Sequence, residues 1–379
     1  MLNTLDVFVN KKFSGELFYE EGSYIFSYTN NDTDFVSLTM PVRSKQYVNN
    51  KLHPLFEMHL PEGYLLSIIK KHFSKVVKTD DFGLLKLMAP SINGRISYKN
   101  KEKLKDNLTL DELLNSQSEN LFSELVSRFA LSSALSGVQP KVLAHIKEKA
   151  TLKEDEYIVK SWGEEYPQLA LNEYLCMQTL KYANIEVPEF YISKDEKLFV
   201  MKRFDILGDK CLGFEDMCVL QAKQRDDKYE GSYEQIAKVI KTFVSAKNKR
   251  VSLLQFFKMV VLNTFLKNGD AHLKNFGLLY DGIDNIRIAP AYDVVSTTVY
   301  IQKDIPALNL FGSKKWWSEK FLLRFGIEQC SLNMSQAKKA YKECIDAKHK
   351  VQQEVQERLK CEKNSTKKEI LEHFLELGL

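Results

Sequence analysis

NTFLKNGDAHLKNFGLLYDGIDNIRIAPAYDVVS, residues 263–296, is the stretch on which the reading of this chain turns. Asp270 stands five positions before Asn275. Asp293 follows two β-prone runs, Phe276 to Tyr280 and Ile286 to Ala289, which Asp281, Gly282 and Asp284 separate. Those three residues read as the turn of a hairpin. A hairpin of that length turns the chain back, so Asn275 at one strand's entrance faces Asp293 at the other's exit. Transfer of a terminal phosphoryl group needs such parts: oxygen ligands for one or two Mg2+, and a separate carboxylate to orient the attacking hydroxyl. Protein kinases carry them in this order. Each residue alone also has an ordinary explanation: Asp270 in a Gly-Asp turn, Asn275 as a cap, Asp293 at the start of a helix at Val294. A neutral amide and two acids meeting at one end of a hairpin point instead to a metal-dependent phosphoryl transferase.

Composition sets the bounds around that stretch. A chain of 379 residues exceeds one ordinary domain, so two or three lobes with sizeable cores are expected. Hydrophobic content of 44% and charged content of 27% are those of a globular protein. The formal net charge of +4 carries no strong nucleic-acid signal, so any contact with DNA is expected through a partner. Cysteines at 176, 211, 218, 330, 344 and 361 form no C-x-x-C pair and have no His at zinc-site spacing, which fits reduced thiols in a cytoplasmic protein. No run of eighteen apolar residues occurs, and MLNTLDVFVNKK lacks a basic region followed by an apolar one. Neither a membrane span nor a signal peptide is expected.

Residues 1–98 read as a β-rich entry module with one helical insert. Leu5 to Val9, Glu16 to Tyr19 and Tyr24 to Tyr28 are short β-prone runs of a meander, and Leu65 to Phe73, behind the turn at Pro61 and Gly63, is the helical candidate. Glu62 reads as a turn or helix-start acid. Residues 99–205 form the remainder of the N-terminal lobe, opening on a charged and polar linker with a short helix near Leu110 to Leu114.

ALSGVQPKVLAHI, residues 134–146, is the second informative stretch. Val142, Ala144 and Ile146 alternate with Leu143, His145 and Lys147, and Tyr157 and Val159 alternate with Ile158 and Lys160, so two paired strands flank a charged turn. Ahead of them, Ser136, Gly137, Val138, Gln139 and Lys141 make a segment small and polar enough to lie over phosphates, although a single Gly is a weak glycine loop. Lys160 is placed like the strand lysine that holds ATP phosphates, or is an exposed strand lysine. Leu169 to Tyr182 is an amphipathic helix whose Glu173 either pairs with Lys160 or is a dipole-favoured surface acid. Val187 to Ile192 and Leu198 to Met201 read as strands, the second leading into Lys202, Arg203 and Phe204, where a strand leaving one lobe supplies an adenine-binding linker. Residues 206–379 are expected to be helical, with helices over Ser232 to Ala246 and Leu253 to Leu266 and two or three surface helices from Ser335 onward.

NGDAHLKNFGLL, APAYDVVS, LNEYLCM, VMKRFD, FEDMC and SGVQPK together closely resemble the HipA family, the bacterial serine/threonine kinase toxins of HipA-HipB toxin-antitoxin systems; LFEMHLPEGY and DDFGLLKLM resemble the small N-terminal subdomain of the same proteins. The resemblance covers nearly the whole chain. It implies an α+β, two-lobed, protein-kinase-like fold with a β-rich N-terminal lobe and an all-helical C-terminal lobe. By motif, Asp270 is then the catalytic base, Asn275 and Asp293 are Mg2+ ligands, Lys160 holds the ATP phosphates, and Lys202, Arg203 and Phe204 line the adenine. His272, Lys274 and Tyr292 are neighbours of that site. The family also implies autophosphorylation of a phosphate-loop serine, an aminoacyl-tRNA synthetase as substrate, and a HipB-like helix-turn-helix antitoxin that brings the complex onto operator DNA. Where many members read Ser-Ile-Ala-Gly or Ser-Ile-Ser-Gly, this chain has Ala134-Leu135-Ser136-Gly137, so Ser136 is the expected phosphosite and Ser133 the second choice. A small-molecule or lipid kinase and a catalytically silent corepressor subunit are the competing functions.

Overall fold

The structure, a computed structural model, describes residues 4–29, 34–60, 80–89, 92, 94–98, 114, 141–147, 154–161 and 165–377, with the backbone alone for 141–147 and 154–156. The chain divides into two compact units, Met1–Ser161 with Val200–Arg225, and Trp162–Phe199 with Asp226–Leu379.

In the first unit the expected meander forms an antiparallel sheet of β1 (Thr4–Val9), β2 (Lys12–Glu20), β3 (Ser23–Tyr28), β4 (Tyr47–Asn49) and β5 (Ile96–Tyr98), in the order β4-β3-β2-β1-β5. Leu5 pairs with Leu17, and Leu17 with Phe26, so alternation along each strand gives the sheet one apolar face. Val7, Val9, Leu17, Phe26 and Tyr98 are buried there, and the Phe26 ring meets Phe56 at 5.5 Å. Phe56 comes from α1 (Pro54–Glu57), whose N-cap is His53, with Pro in the first turn. The Leu55 backbone N–H donates to His53 Nδ1 at 3.2 Å. Helix α2 (Asp81–Met88) starts where Asp80 Oδ1 accepts from the Gly83 N–H at 2.7 Å. No helix was expected there, because Gly83 inside its first turn obscures the periodicity. The candidate helix over 65–73, Glu62, and the linker positions except 114 lie outside the described residues.

Burial holds the His53 imidazole pKa down at about 4, and a protonated Nδ1 could no longer cap the helix. The unfolded chain binds this proton near pH 6.5 and the folded chain only near 4, so the stability from a neutral His53 is complete above about 6.5 and falls between the two values, by about 3 kcal/mol at most. His53→Asn keeps a capping acceptor that does not titrate. The urea midpoint of this variant is expected to fall less than that of the wild type between pH 7 and 4.5; parallel curves would exclude His53 as a source of acid sensitivity.

Strands β6 (Lys141–Lys147) and β7 (Glu154–Ser161) pair antiparallel as expected, with Val142 opposite Val159 and position 141 opposite Lys160. Farther on, Glu215 is fully buried, its Oε2 accepting from Ser37 Oγ at 2.7 Å and its Oε1 from the Leu38 N–H at 2.8 Å. Asp216 caps Met217–Leu220 by accepting from the Cys218 and Val219 N–H groups. The FEDMC motif is therefore built into the folding of this unit.

The second unit is mainly helical: α3 (Leu169–Tyr182), α4 (Tyr233–Phe243), α5 (Ala246–Phe265), α6 (Glu319–Glu328), α7 (Met334–Leu359) and α8 (Ser365–Glu376). Its strands include the expected hairpin, β8 (Gly277–Tyr280) and β9 (Ile286–Ile288), with Leu278 opposite Ile288 and Tyr280 opposite Ile286. Gly282 takes φ +82° in the turn, a conformation costly for any side chain. Helix α5 begins seven residues earlier than its apolar spacing suggests. The reason is a polar stripe: Ser245 Oγ accepts from the Ile286 N–H, Asn248 donates to the Ile286 carbonyl, Ser252 accepts from the Ile288 N–H, and Gln255 donates to the Ala289 carbonyl. These polar residues, outside the apolar spacing, hold the hairpin.

The tail differs from expectation in the same way. Ala337, Ala340, Tyr341, Cys344, Ala347, Val351 and Val355 form a buried stripe on α7, which packs against α3, α5, α6 and α8. It is a core helix with one charged face rather than a surface helix.

Candidate active site

Helix α5 ends at Phe265 and delivers the loop that carries Asp270. Within the loop Asn268 is buried, donating to Asn263 Oδ1 at 2.9 Å and accepting from the Asp270 N–H at 3.1 Å. The His272 N–H donates to the Asp270 carbonyl, and a 3-10 turn, Leu273–Asn275, leads into β8. Asn275 is buried, and its Nδ2 donates to the Asp270 carbonyl at 2.8 Å and to the Asp293 carbonyl at 3.4 Å. Both bonds use the amide nitrogen, which turns Oδ1, the atom able to bind a hard cation, away from the two carbonyls. Tyr292 donates to the Lys274 carbonyl at 2.8 Å, fastening the hairpin's exit to its entrance. Asp293 sits at φ +58°, a left-handed conformation that Asp tolerates better than most residues and that is often found at functional sites. No helix begins at Val294, so Asp293 is not a helix-start acid.

The loop after Asp293 is braced from two directions. Asn172 on α3 is fully buried and holds Ser296 by both backbone groups: the Ser296 N–H donates to Asn172 Oδ1, and Asn172 Nδ2 donates to the Ser296 carbonyl, each at 2.8 Å. His373, its imidazole pKa lowered by burial, contacts Ser296 Oγ at 2.9 Å. One residue on, Thr297 Oγ1 accepts from the Gly269 N–H at 2.8 Å and is hydrogen-bonded to the Asp304 carboxylate. A Cβ at Gly269 would collide with Asp304 and Thr297, so only glycine lets the two loops approach this closely.

Asp270, His272, Lys274, Asn275, Tyr292 and Asp293 are thus gathered around one end of the hairpin in the second unit. Lys160, Lys202, Arg203 and Phe204 belong to the first unit. Lys160 is only 3% exposed, which excludes the reading as a solvated strand lysine. Arg203 chelates Asp205 with two nitrogens, at 2.8 and 2.5 Å, and Phe204 meets Phe214 edge-on at 5.3 Å. Glu173 is 1% exposed and is therefore not a surface acid. Ser133, Ser136, Gly137, Val138 and Gln139 lie outside the described residues, and Lys141 is described by its backbone.

An amide oxygen and a carboxylate at one hairpin end are the hard oxygen donors that Mg2+ takes, and among the described residues no cluster of three His, Cys, Asp or Glu competes as a metal site. Sequence reasoning missed Asn172, Ser296, Thr297, Asp304 and Tyr229, whose phenol donates to Asp270 Oδ1 at 2.8 Å. Asn172 and Ser296 fall inside the quoted LNEYLCM and APAYDVVS, but nothing local shows what any of the five bonds, because their partners lie 7 to 124 residues away.

Family models match the chain in two places, the HipA N-terminal domain over residues 5–99 and the HipA-like C-terminal domain over residues 133–355. The chain is 26% identical over 291 residues to "Putative kinase Y4dM" of Sinorhizobium fredii, covering 70% of this chain and 68% of that one. It is 32% identical over 192 residues to a "Putative kinase" of Haemophilus influenzae, covering 44% of this chain and 53% of that one. Among solved structures it is similar to a chain of the Shewanella oneidensis toxin-antitoxin complex of HipA, HipB and operator DNA, with a TM-score of 0.73 and 17% identity over 98% of this chain and 95% of that one. The shared fold is the finding of that last comparison.

Proposed function

This chain belongs to the HipA family, and from that premise we propose that it is an ATP- and Mg2+-dependent serine/threonine protein kinase, the toxin of a type II toxin-antitoxin pair. The observation that carries the reading is the constellation at the hairpin's end: Asp270 with its carboxylate 40% exposed, and Asn275 bonded to the backbone of both acids. Asp270 accepts the proton of the attacking hydroxyl. Asn275 and Asp293 are the residues to hold Mg2+, which when bound neutralises charge on the ATP phosphates. Lys160 binds phosphate, and Lys202, Arg203 and Phe204 line the adenine with backbone groups, since the Arg203 side chain is committed to Asp205.

The solved relative is in complex with HipB and operator DNA, which supports a HipB-like antitoxin as partner and DNA contact through that antitoxin. The substrate we assign is an aminoacyl-tRNA synthetase, whose modification would halt translation. Six free cysteines support a reducing, cytoplasmic location. Among the described residues no helix is long and apolar enough to cross a membrane.

The test is incubation of the purified protein with γ-labelled ATP, Mg2+ and a cell extract. Label in discrete protein bands, resistant to hydroxylamine, which cleaves acyl phosphates, and mapping to Ser or Thr, is expected. Label only in small molecules would assign a small-molecule kinase, and no ATP turnover would assign a silent corepressor. In the absence of extract, phosphate is expected on Ser136. It would add about −1.5 to −2 charges to a segment proposed to lie over ATP phosphates, so Ser136→Asp is expected to bind ATP at least tenfold more weakly. Modification elsewhere, with full ATP binding by Ser136→Asp, would remove that segment as an off switch.

A further inference from the structure

A kinase's base identifies its acceptor by the hydroxyl that hydrogen-bonds it, so a hydroxyl already bonded to Asp270 bears on what this site will phosphorylate. One such hydroxyl is a phenol, and His272 Nε2 lies 4.0 Å from the same oxygen. Tyr229 Oη donates to Asp270 Oδ1 at 2.8 Å, and the Tyr229 ring meets His272 edge-on at 5.1 Å. The phenol's position is imposed by the backbone around it. The Leu273 N–H donates to the Lys228 carbonyl at 3.0 Å, Lys314 Nζ donates to the Tyr229 carbonyl at 3.3 Å, and the Asn309 N–H donates to the Gly231 carbonyl at 3.0 Å. The catalytic loop and the 309–314 segment thus fasten residues 228–231 from both sides. The side chain itself is 41% exposed, so the ring can leave Asp270 by rotamer change without moving that backbone.

We infer that Tyr229 is a specificity-determining residue, its phenol taking the acceptor's place on Asp270 Oδ1 and competing with water for that one oxygen until a substrate hydroxyl displaces it. The inference rests on the kinase reading above and deepens it. A base beside Mg2+-ATP that is open to solvent can deprotonate water. The water oxygen then bonds to the γ-phosphorus, the bond to the β-γ bridging oxygen breaks, the proton goes to Asp270, and ADP and phosphate leave. A tethered phenol competes with water because it needs no further immobilisation, whereas a protein hydroxyl delivered by its own docking contacts competes with the phenol on equal terms. Phosphate is not expected on Tyr229 itself, because the inference gives its phenol the part of a placeholder that leaves Asp270 when the acceptor arrives.

The test compares wild type, Tyr229→Phe, Asp270→Asn and the double variant, each shown to be folded by thermal melt. Phe keeps the ring contact with His272 and removes only the hydroxyl. The readouts are ADP release from Mg2+-ATP with no acceptor added, and phosphopeptide mapping. Tyr229→Phe is expected to raise kcat for ATP hydrolysis about fivefold to tenfold, the size one net hydrogen bond supports, with KM for ATP within about twofold. The double variant should show none of the gain, which places it at Asp270. An unchanged or lowered rate in Tyr229→Phe would overturn the inference and make Tyr229 a support for the carboxylate. Phosphate mapped to Tyr229 would overturn it too, making the phenol itself an acceptor. If the wild type neither turns over ATP nor transfers label, the kinase reading fails and this inference with it; turnover without a Tyr229→Phe gain sinks the inference alone.

Discussion

Asp270→Asn is expected to reduce phosphoryl transfer at least a thousandfold while leaving the fold and ATP binding intact. The substitution keeps the side chain's shape and leaves an amide oxygen able to accept from Tyr229 Oη. The backbone bonds that shape the loop, from the Asp270 N–H to Asn268 and from His272 and Asn275 to the Asp270 carbonyl, do not involve the carboxylate. What disappears is a group able to take the proton of the attacking hydroxyl, and general-base contributions of about 10² to 10⁴ in rate are usual. The loss should lie in kcat, with ATP affinity by calorimetry and the melting temperature close to wild type. Residual transfer above a few per cent would show that another group is the base.

Asp293→Asn is the second large effect, and it should appear in binding before chemistry. Asn tolerates the left-handed backbone at φ +58° as well as Asp does, so the loop is kept and only charge is lost. On the proposed assignment that charge is the one the cation meets, and Asn275 is bonded to the same residue's carbonyl. Affinity for Mg2+-ATP is expected to fall about a hundredfold, and affinity for ATP in EDTA by less than threefold. Equal losses with and without Mg2+ would make Asp293 structural.

The two variants address different parts of one loop pair, and the structure indicates how those parts stay together. Thr297 is bonded to Gly269 beside Asp270, and Asn172 to Ser296 beyond Asp293. Residues outside both motifs thus add to the direct link that Asn275 makes between Asp270 and Asp293. Asn172 adds a link to α3, the helix of the buried Glu173, so a change in α3 would be felt three residues beyond Asp293.

Much of this was legible beforehand for a physical reason. The β1–β2–β3 meander, the β6–β7 pair and the β8–β9 hairpin are local structures, each pairing strands adjacent in sequence across one turn. The approach of Asn275 to Asp293 is likewise a consequence of hairpin length. Where signals conflicted, reading failed locally. Gly83 hid α2, polar residues hid the first two turns of α5, and charged residues made α7 read as a surface helix, because sequence cannot tell a hydrogen bond to water from one to a neighbouring strand.

By itself the sequence determined the β-rich start, the order of the chemical parts and the facing of the hairpin's two ends, since each is governed by contacts short in sequence. The tertiary structure alone decided that Lys160 and Glu173 are buried, that Thr297 ties the Asp270 loop to the loop after Asp293, and that Tyr229, 41 residues ahead of Asp270, donates to its carboxylate. Those pairings have no periodicity to read. They exist because packing of α3, α5 and α7 brings distant backbone together, and buried polar groups then take whichever partner that packing supplies.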